Sequence, residues 1–484
     1  MQQQTYTREF TPFEKYYFWR NKLNMYSNFR VAVEYMEELD TGSVFQALSL
    51  MVSQHTSLSM NAYPKKGCTF FEFPYTLGLM DSYRLSDVLE IINDENVTVG
   101  DVFNQLQDVH FEYGTSKPLW SLILLNKKTL IYYSDHLLFD GSSGLNFHKL
   151  FSHAIEVSEK AENFDAEASI LFDITKVDND FQLPPKPSDL IDYSVPRFYL
   201  LYALMLICFP KSLSDIVKYY FIDDASISKS KTYNTIVLSR KMMSYNEDGP
   251  ETNKTHNNIE KNRDRCKLVH ISNTKLQQLI CDCRKYNVKL TSLLVVMSLL
   301  SISKITGKEK DTMVVIPVNS RSKIDMNRVK MHGSPDIKTD FGLYLGDLNM
   351  ELPPVDKMCH NGKINWNFVK YVNDYIHGRM KDSQRDLGLV SWVDPKLFLE
   401  YRKKCYDDSM IGTLLVSNLG NLKDTNNAFL NAYFDQPCRS GVLSLFAMNV
   451  ISTTRGGAHL ALRSVNQRWL EVFNEGVINQ LSQF

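Results

Sequence analysis

At 484 residues the chain is too long for one ordinary hydrophobic core, and two lobes of about 200 residues each are expected. Its composition, 44% hydrophobic and 23% charged, is that of a folded soluble protein, and a formal net charge of −1 with pI ≈ 6.8 gives no electrostatic footprint for nucleic acid. The 8 cysteines are scattered, the closest pair (Cys281 and Cys283) matches no zinc or redox spacing, and reduced thiols in a cytosolic setting are expected.

Met1 to Thr5 is polar, and no basic-then-apolar signal peptide follows it. Residues 10–39 open as an aromatic-rich helical pattern and turn strand-like through Phe29 to Tyr35. Ser43 to Val52 reads as an amphipathic helix with Val44, Leu48 and Met51 near one face. Thr69 to Phe73 and Leu119 to Leu125, rich in aromatic and branched residues, read as strands. A further strand, Thr129 to Ser134, delivers His136. The helix after it opens at Leu145 and runs for about four turns, with Ser142 or Ser143 as its N-cap.

The run Leu183-Pro184-Pro185-Lys186-Pro187 closes a first lobe of residues 1–187. Residues 188–224 form a crossover carrying the longest apolar run, Phe198 to Phe209 between Arg197 and Pro210, too short to span a bilayer. Two readings of it stand: a buried or substrate-lining helix, or an interfacial helix over 198–221 continued by Ile216 to Phe221 on a membrane surface. A second lobe, 225–484, contains a polar, Asn-rich mobile surface loop over 244–265. It continues with a strand at Lys267–Ile271, a helix capped by Ser272, an apolar helix at Thr291–Ile305 and a buried strand at Met313–Val318. Later strands are expected at Gly342–Met350, Gly412–Ser417, Val442–Ser452 and Gly457–Arg463, then a helix over Gln467–Leu481. Strands and helices alternating in two halves make an α/β protein of two lobes.

One stretch names a chemistry. His136-Leu137-Leu138-Phe139-Asp140-Gly141 places a His at a strand end and a carboxylate four residues on, in the following turn. That is a general base held by its neighbour, suited to deprotonating a hydroxyl or amine as it attacks an acyl donor. The plain alternative is a core histidine hydrogen-bonded to an aspartate. A second His-x-x-x-Asp, His332 to Asp336, lies in a breaker-rich loop and is taken as coincidence. His148 and His153 with His136 make a weak metal pattern, because helix-borne ligand pairs prefer spacings of three or four; no metal is expected.

Several segments, in order, resemble the acyl-CoA-dependent acyltransferase superfamily that includes chloramphenicol acetyltransferase, condensation domains and plant acyltransferases. They are Lys117 to Trp120, His136 to His148, Leu290 to Leu294, Ile316 to Arg321 and Val416 to Gly420. Within it the chain is most similar to the fungal alcohol O-acetyltransferase family, which also holds N-acetyltransferases acting on long-chain amino alcohols. The plant motif Asp-Phe-Gly-Trp-Gly is cut here to Asp340-Phe341-Gly342, without its Trp, which leaves Asp340 a structural residue and fits the fungal branch.

The resemblance implies two chloramphenicol acetyltransferase-like lobes, each a mixed sheet with flanking helices, and an active-site tunnel between them. It implies acetyl-CoA as co-substrate, entering opposite the acceptor, with no metal and no acyl-enzyme. His136 would be the base at mid-tunnel, and Asp140 would point away to pair with an arginine, for which Arg321 is the candidate. Gly141 would supply a tight turn, and Ser417 and Asn418 an oxyanion donor. The expected activity is transfer of acetyl to an alcohol hydroxyl. Its rivals are N-acetylation of a sphingoid-like amine along the 198–209 segment, and a non-catalytic descendant binding lipid or a partner. A cytoplasmic monomer suffices, with peripheral contact to endoplasmic reticulum or lipid droplet through 198–221 if that segment is interfacial.

Overall fold

The computed structural model describes residues 6–69, 72–157, 169–177, 183–201, 265–306, 312–331, 338–353, 355–406, 413–423, 426–438 and 444–484. The 244–264 stretch, most of the apolar run, His332 to Asp336 and part of Thr69 to Phe73 lie outside these.

Helix α1 (Pro12–Lys22) begins at a capping box. Thr11 Oγ1 accepts from Glu14 N, Glu14 Oε2 accepts from Thr11 N at 2.7 Å, and Pro12 needs no partner at the first position. Strand β1 (Phe29–Tyr35) leads to α2 (Thr41–Gln54), which starts two residues earlier than its apolar stripe because Asp40 caps it. Two strands, β2 (Met60–Pro64) and β3 (Tyr75–Leu79), flank the position of the expected Thr69–Phe73 strand and pair with each other. Then come β4 (Leu89–Ile92), α3 (Val99–Leu106), β5 (Trp120–Leu125), β6 (Thr129–Ser134) and α4 (Gly141–Val157).

The second half holds β7 (Lys267–Ile271), α5 (Asn273–Lys285), α6 (Leu290–Thr306), β8 (Thr312–Asn319), β9 (Leu345–Leu352), α7 (Trp366–Arg379), α8 (Pro395–Tyr406), β10 (Leu414–Leu422), β11 (Phe429–Asp435), β12 (Phe446–Thr453), β13 (Gly457–Ser464) and α9 (Gln467–Leu481). Helix α6 is buried along Leu293 to Ile302, and serines within it bond back to the helix, so it is a core helix of this lobe. No single described helix is long and apolar enough to cross a membrane.

The lobes are built on two mixed sheets. The first has strand order β11-β1-β6-β5-β4 and the second β7-β13-β12-β10-β8-β9. In the first, only β4 and β5 run parallel; in the second, β8, β10 and β12 are parallel neighbours. Strand β11 has no counterpart in the sequence reading. It leaves the second lobe and pairs antiparallel with β1, Ala432 opposite Val33 and Asp435 opposite Arg30. The C-terminal half therefore completes the N-terminal sheet, and Phe429, Ala432, Phe434 and Leu422 pack into the first core. A boundary at residue 187 separates the chain but not the sheets.

Helix α4 also differs from expectation. It starts at Gly141, not Leu145, so Ser142 and Ser143 lie inside it. Asp140 does the capping: its Oδ1 accepts from Ser143 N at 2.8 Å, and its carbonyl accepts from Ser143 N as well. An early start brings α4 close to β1, so that a Cβ on Gly144 would lie 2.7 Å from Val31 Cγ2.

Candidate active site

His136 sits two residues beyond β6, and the turn holding it is fastened by Asp135 rather than by Asp140. Asp135 Oδ1 accepts from Leu137 N at 2.6 Å and from Tyr113 OH at 3.2 Å, while Oδ2 accepts from Asn21 Nδ2. Burial raises the Asp135 carboxyl to about 6 against those three donors, with Arg20 also opposing. Sequence reasoning missed this carboxylate; its position beside His136 at the strand end was the available signal.

Three aromatic rings enclose the imidazole. Tyr17 stacks on it at 4.5 Å with an interplanar angle of 20°, and Tyr26 and Phe29 approach at 5.4 Å and 5.2 Å. His136 Nδ1 is buried without a well-formed hydrogen bond. Burial is the main reason its pKa falls to about 3, and the Arg20 charge adds to the fall; Asp140 and the carbonyls of His136 and Phe139 oppose it. The ring is therefore neutral throughout the physiological range. With Nδ1 buried, Nε2 is the nitrogen left to take up a substrate proton.

Asp140 is 1% exposed and faces the second lobe. Its Oδ2 accepts from Arg321 Nη1 at 2.7 Å and from Tyr344 N at 3.0 Å. Arg321 spends its other donors on Thr339 O at 2.9 Å, Ser143 Oγ at 3.1 Å and Asp340 O at 3.1 Å, and its guanidinium lies over the Tyr344 ring. The pair thus ties the head of α4 to the loops after β8 and before β9. Asp340 takes part through its main-chain oxygen, which also accepts from Asn146 Nδ2 at 3.0 Å. Asp140→Asn is expected to destabilise the fold by about 3 kcal/mol, since it leaves a half-buried guanidinium without its counter-charge. The check is urea unfolding beside the rate: a normal midpoint with lost activity would make Asp140 a direct participant in chemistry.

Gly141 is explained by crowding, not by the turn conformation its motif suggested. It lies in α4 with ordinary helical backbone, and a Cβ there would meet Leu419 Cδ2 at 2.9 Å and the Phe434 ring at 3.4 Å. That approach brings the middle of β10 against the α4 head. Just before Leu419 in the strand, Ser417 pairs with Asn449 of β12. Asn418 is engaged elsewhere: Nδ2 donates to Thr291 Oγ1 at 3.0 Å, and Oδ1 accepts from Gly420 N at 2.8 Å. Its amide is committed to fixing the irregularity in mid-strand, where the register with β12 shifts.

His148 has both ring nitrogens occupied. Nε2 donates to Val31 O at 3.0 Å, so Nδ1 accepts from Tyr35 OH at 3.1 Å, and burial lowers its pKa to about 4. His153 is exposed near Glu156, and among the described residues no three His, Cys, Asp or Glu side chains converge as metal ligands.

An enclosed neutral imidazole, held at a strand end by one carboxylate and backed by an inter-lobe ion pair, can remove a proton from a hydroxyl or amine. A family model described as "Alcohol acetyltransferase" matches residues 11–475. The "N-acetyltransferase SLI1" of Saccharomyces cerevisiae is 22% identical over 476 residues, covering 94% of each chain. Among solved structures, the TRI3 trichothecene 15-O-acetyltransferase from Fusarium sporotrichioides superposes with a TM-score of 0.62 at 12% identity, over 98% of this chain and 94% of that one. The starter condensation domain of rhizomide synthetase RzmA, a mutant form in complex with C8-CoA, superposes with a TM-score of 0.54 at 11% identity, over 99% and 94%. The fold is the two-lobed α/β arrangement those structures share.

Proposed function

Because the chain belongs to the alcohol acetyltransferase family, we propose that it transfers acetyl from acetyl-CoA to an alcohol hydroxyl, with His136 as general base. The observation that carries this reading is the His136 imidazole: kept neutral, with Nδ1 shut away and Nε2 free to meet a substrate. Nε2 takes the acceptor proton as the oxygen attacks the thioester carbonyl. Collapse of the tetrahedral intermediate breaks the C–S bond, and the proton passes to the departing thiolate. No protein nucleophile is needed. The oxyanion is stabilised by a donor in mid-β10, in the region of Ser417. A CoA thioester as donor is supported by the C8-CoA complex of the RzmA condensation domain.

The full-length similarity to an N-acetyltransferase favours a second reading with the same base and donor, in which the acceptor is a sphingoid-like amine. The test is release of CoA thiol from acetyl-CoA by the purified protein with isoamyl alcohol, with a sphingoid base, and with neither. Release with the alcohol supports O-acetylation, and release with the base alone replaces it by N-acetylation. No release with either would leave a different acyl donor, an acceptor of another class or a non-catalytic binding role.

The pH dependence follows from the depressed His136 pKa. A base that stays unprotonated down to about 3 gives kcat/KM no acid limb near 6.5, and the profile should be flat from pH 7 to pH 5. A fall centred near 6.5 would mean an ordinary, solvated imidazole does the work.

We place the enzyme in the cytoplasm as a monomer, touching endoplasmic reticulum or lipid droplets peripherally through 198–221. The described start of that segment presents Phe198, 88% exposed, and Leu201, 56% exposed. Recovery of all the protein in the soluble fraction without detergent, and no pelleting with vesicles, would remove the membrane part of this reading.

A further inference from the structure

Arg20, on α1, is 4% exposed, and its Nε and Nη2 are buried with no hydrogen-bond partner. Among the described residues its guanidinium forms no ion pair. Asp135 feels its charge, but the Asp135 oxygens are taken by Asn21, Tyr113 and Leu137 N. Three tyrosine faces surround it instead, Tyr16 at 5.5 Å, Tyr17 at 5.0 Å and Tyr26 at 4.7 Å. Those π faces offset part of the cost of a buried cation, but they leave its Nε and Nη2 donors unmet.

Two of the three rings, Tyr17 and Tyr26, also enclose His136. The cation and the base therefore share one wall. A buried, unpaired guanidinium there is a standing cost to the fold, and such costs are kept where a ligand removes them. Its planar donors match two-oxygen acids. An acetyl thioester brings no acid to the reacting end, and the CoA phosphates lie at the far end of the pantetheine arm. The anion must come with the acceptor.

We propose that Arg20 recognises an acidic group, a carboxylate or a phosphate, carried by the acyl acceptor next to the hydroxyl or amine that His136 deprotonates. This rests on the acyl-transfer reading above and narrows its acceptor to hydroxy or amino acids, or their phosphate counterparts, with an apolar tail. Arg20 holds the acid while the neighbouring nucleophile lies at the imidazole.

The test compares 2-hydroxydecanoate with its uncharged primary amide, and 2-aminodecanoate with its amide, with the monophosphate of 1,2-decanediol as the phosphate arm. Wild type, Arg20→Met and Arg20→Lys are assayed for kcat/KM by thiol release. Wild type should favour an acid over its amide by at least about tenfold, the margin a partly desolvated charge pair gives, and Arg20→Met should abolish that preference. Arg20→Lys should fall between. Whether carboxylate or phosphate gains more names the acid. Equal use of acid and amide by wild type would overturn the proposal, as would Arg20→Met slowing both alike. If Arg20→Met does not fold, the wild-type comparison decides. Calorimetric titration of acid and amide into His136→Ala separates the two layers. Tighter binding of the acid there, with no transfer by wild type to either, would support Arg20 and reject acyl transfer.

Discussion

His136→Ala is expected to keep its fold and lose about 10²–10⁴-fold in kcat/KM for acetyl transfer, the contribution typical of a positioned general base. The loss should fall on kcat more than on KM, because proton removal belongs to the transition state and not to ground-state binding. Fold retention follows from the packing. The Asp135 carboxylate fastens the turn without using the imidazole, and the Nδ1 of His136 makes no well-formed hydrogen bond whose loss would be felt. Removing the ring leaves a gap beside Tyr17 and Tyr26, so a modest fall in midpoint is expected. A variant that transfers acetyl at the wild-type rate would leave His136 as a packed aromatic.

Asp435→Ala is expected to destabilise the protein by about 3–5 kcal/mol, a large part of the total stability of an ordinary domain. Asp435 ends β11 and is fully buried between two arginines. Arg463 of β13 binds it in two-pronged fashion, Nε to Oδ1 and Nη2 to Oδ2, both at 2.7 Å. Arg30 of β1 donates to Oδ2 at 2.5 Å and to Asn28 Oδ1 and Phe103 O at 2.8 Å each. The carboxylate thus joins the two sheets at the strand that crosses between them. Without it, two guanidinium groups face each other out of water. Burial alone would raise the Asp435 carboxyl, yet the Arg463 and Arg30 charges hold it below its ordinary 3.8. A depressed pKa means that this contribution is present above pH 3.8 and is lost as pH falls below it. Urea unfolding at pH 7 checks the claim, and an unchanged midpoint for Asp435→Ala would show that solvent reaches the cluster.

How far the sequence foretold this arrangement depended on how local the cause was. Lys267–Ile271, Thr129–Ser134 and Gln467–Leu481 were legible to the residue, because each carries its own periodicity between clear stops. Ser272 was legible as a cap because its hydroxyl acts three residues away. Strand β11 was not: it is polar at Asn431 and Asp435, and becomes a strand only by pairing with β1 some 400 residues earlier. The head of α4 was misplaced because Asp140 was read only as a partner of His and Arg, while it also caps a helix.

The same division holds for the site. His136 was legible as a motif at a strand end, and Arg321 as the partner of Asp140 through the order of segments. Tyr17, Tyr26, Asp135 and Arg20 were not, since nothing in a helix such as Pro12–Lys22 says which face will be closed over by another element. An unmet buried donor is a tertiary fact.

The central claim, direct transfer from acetyl-CoA with His136 as the base, is tested most directly by a single-turnover experiment with acetyl-CoA labelled in the acetyl group. Label is followed into the acceptor and onto the protein in wild type and His136→Ala. The account predicts that label reaches the acceptor in step with thiol release, that none stays on wild-type protein, and that both events collapse together in the variant. Label retained on the protein, or transfer undiminished without His136, would contradict it.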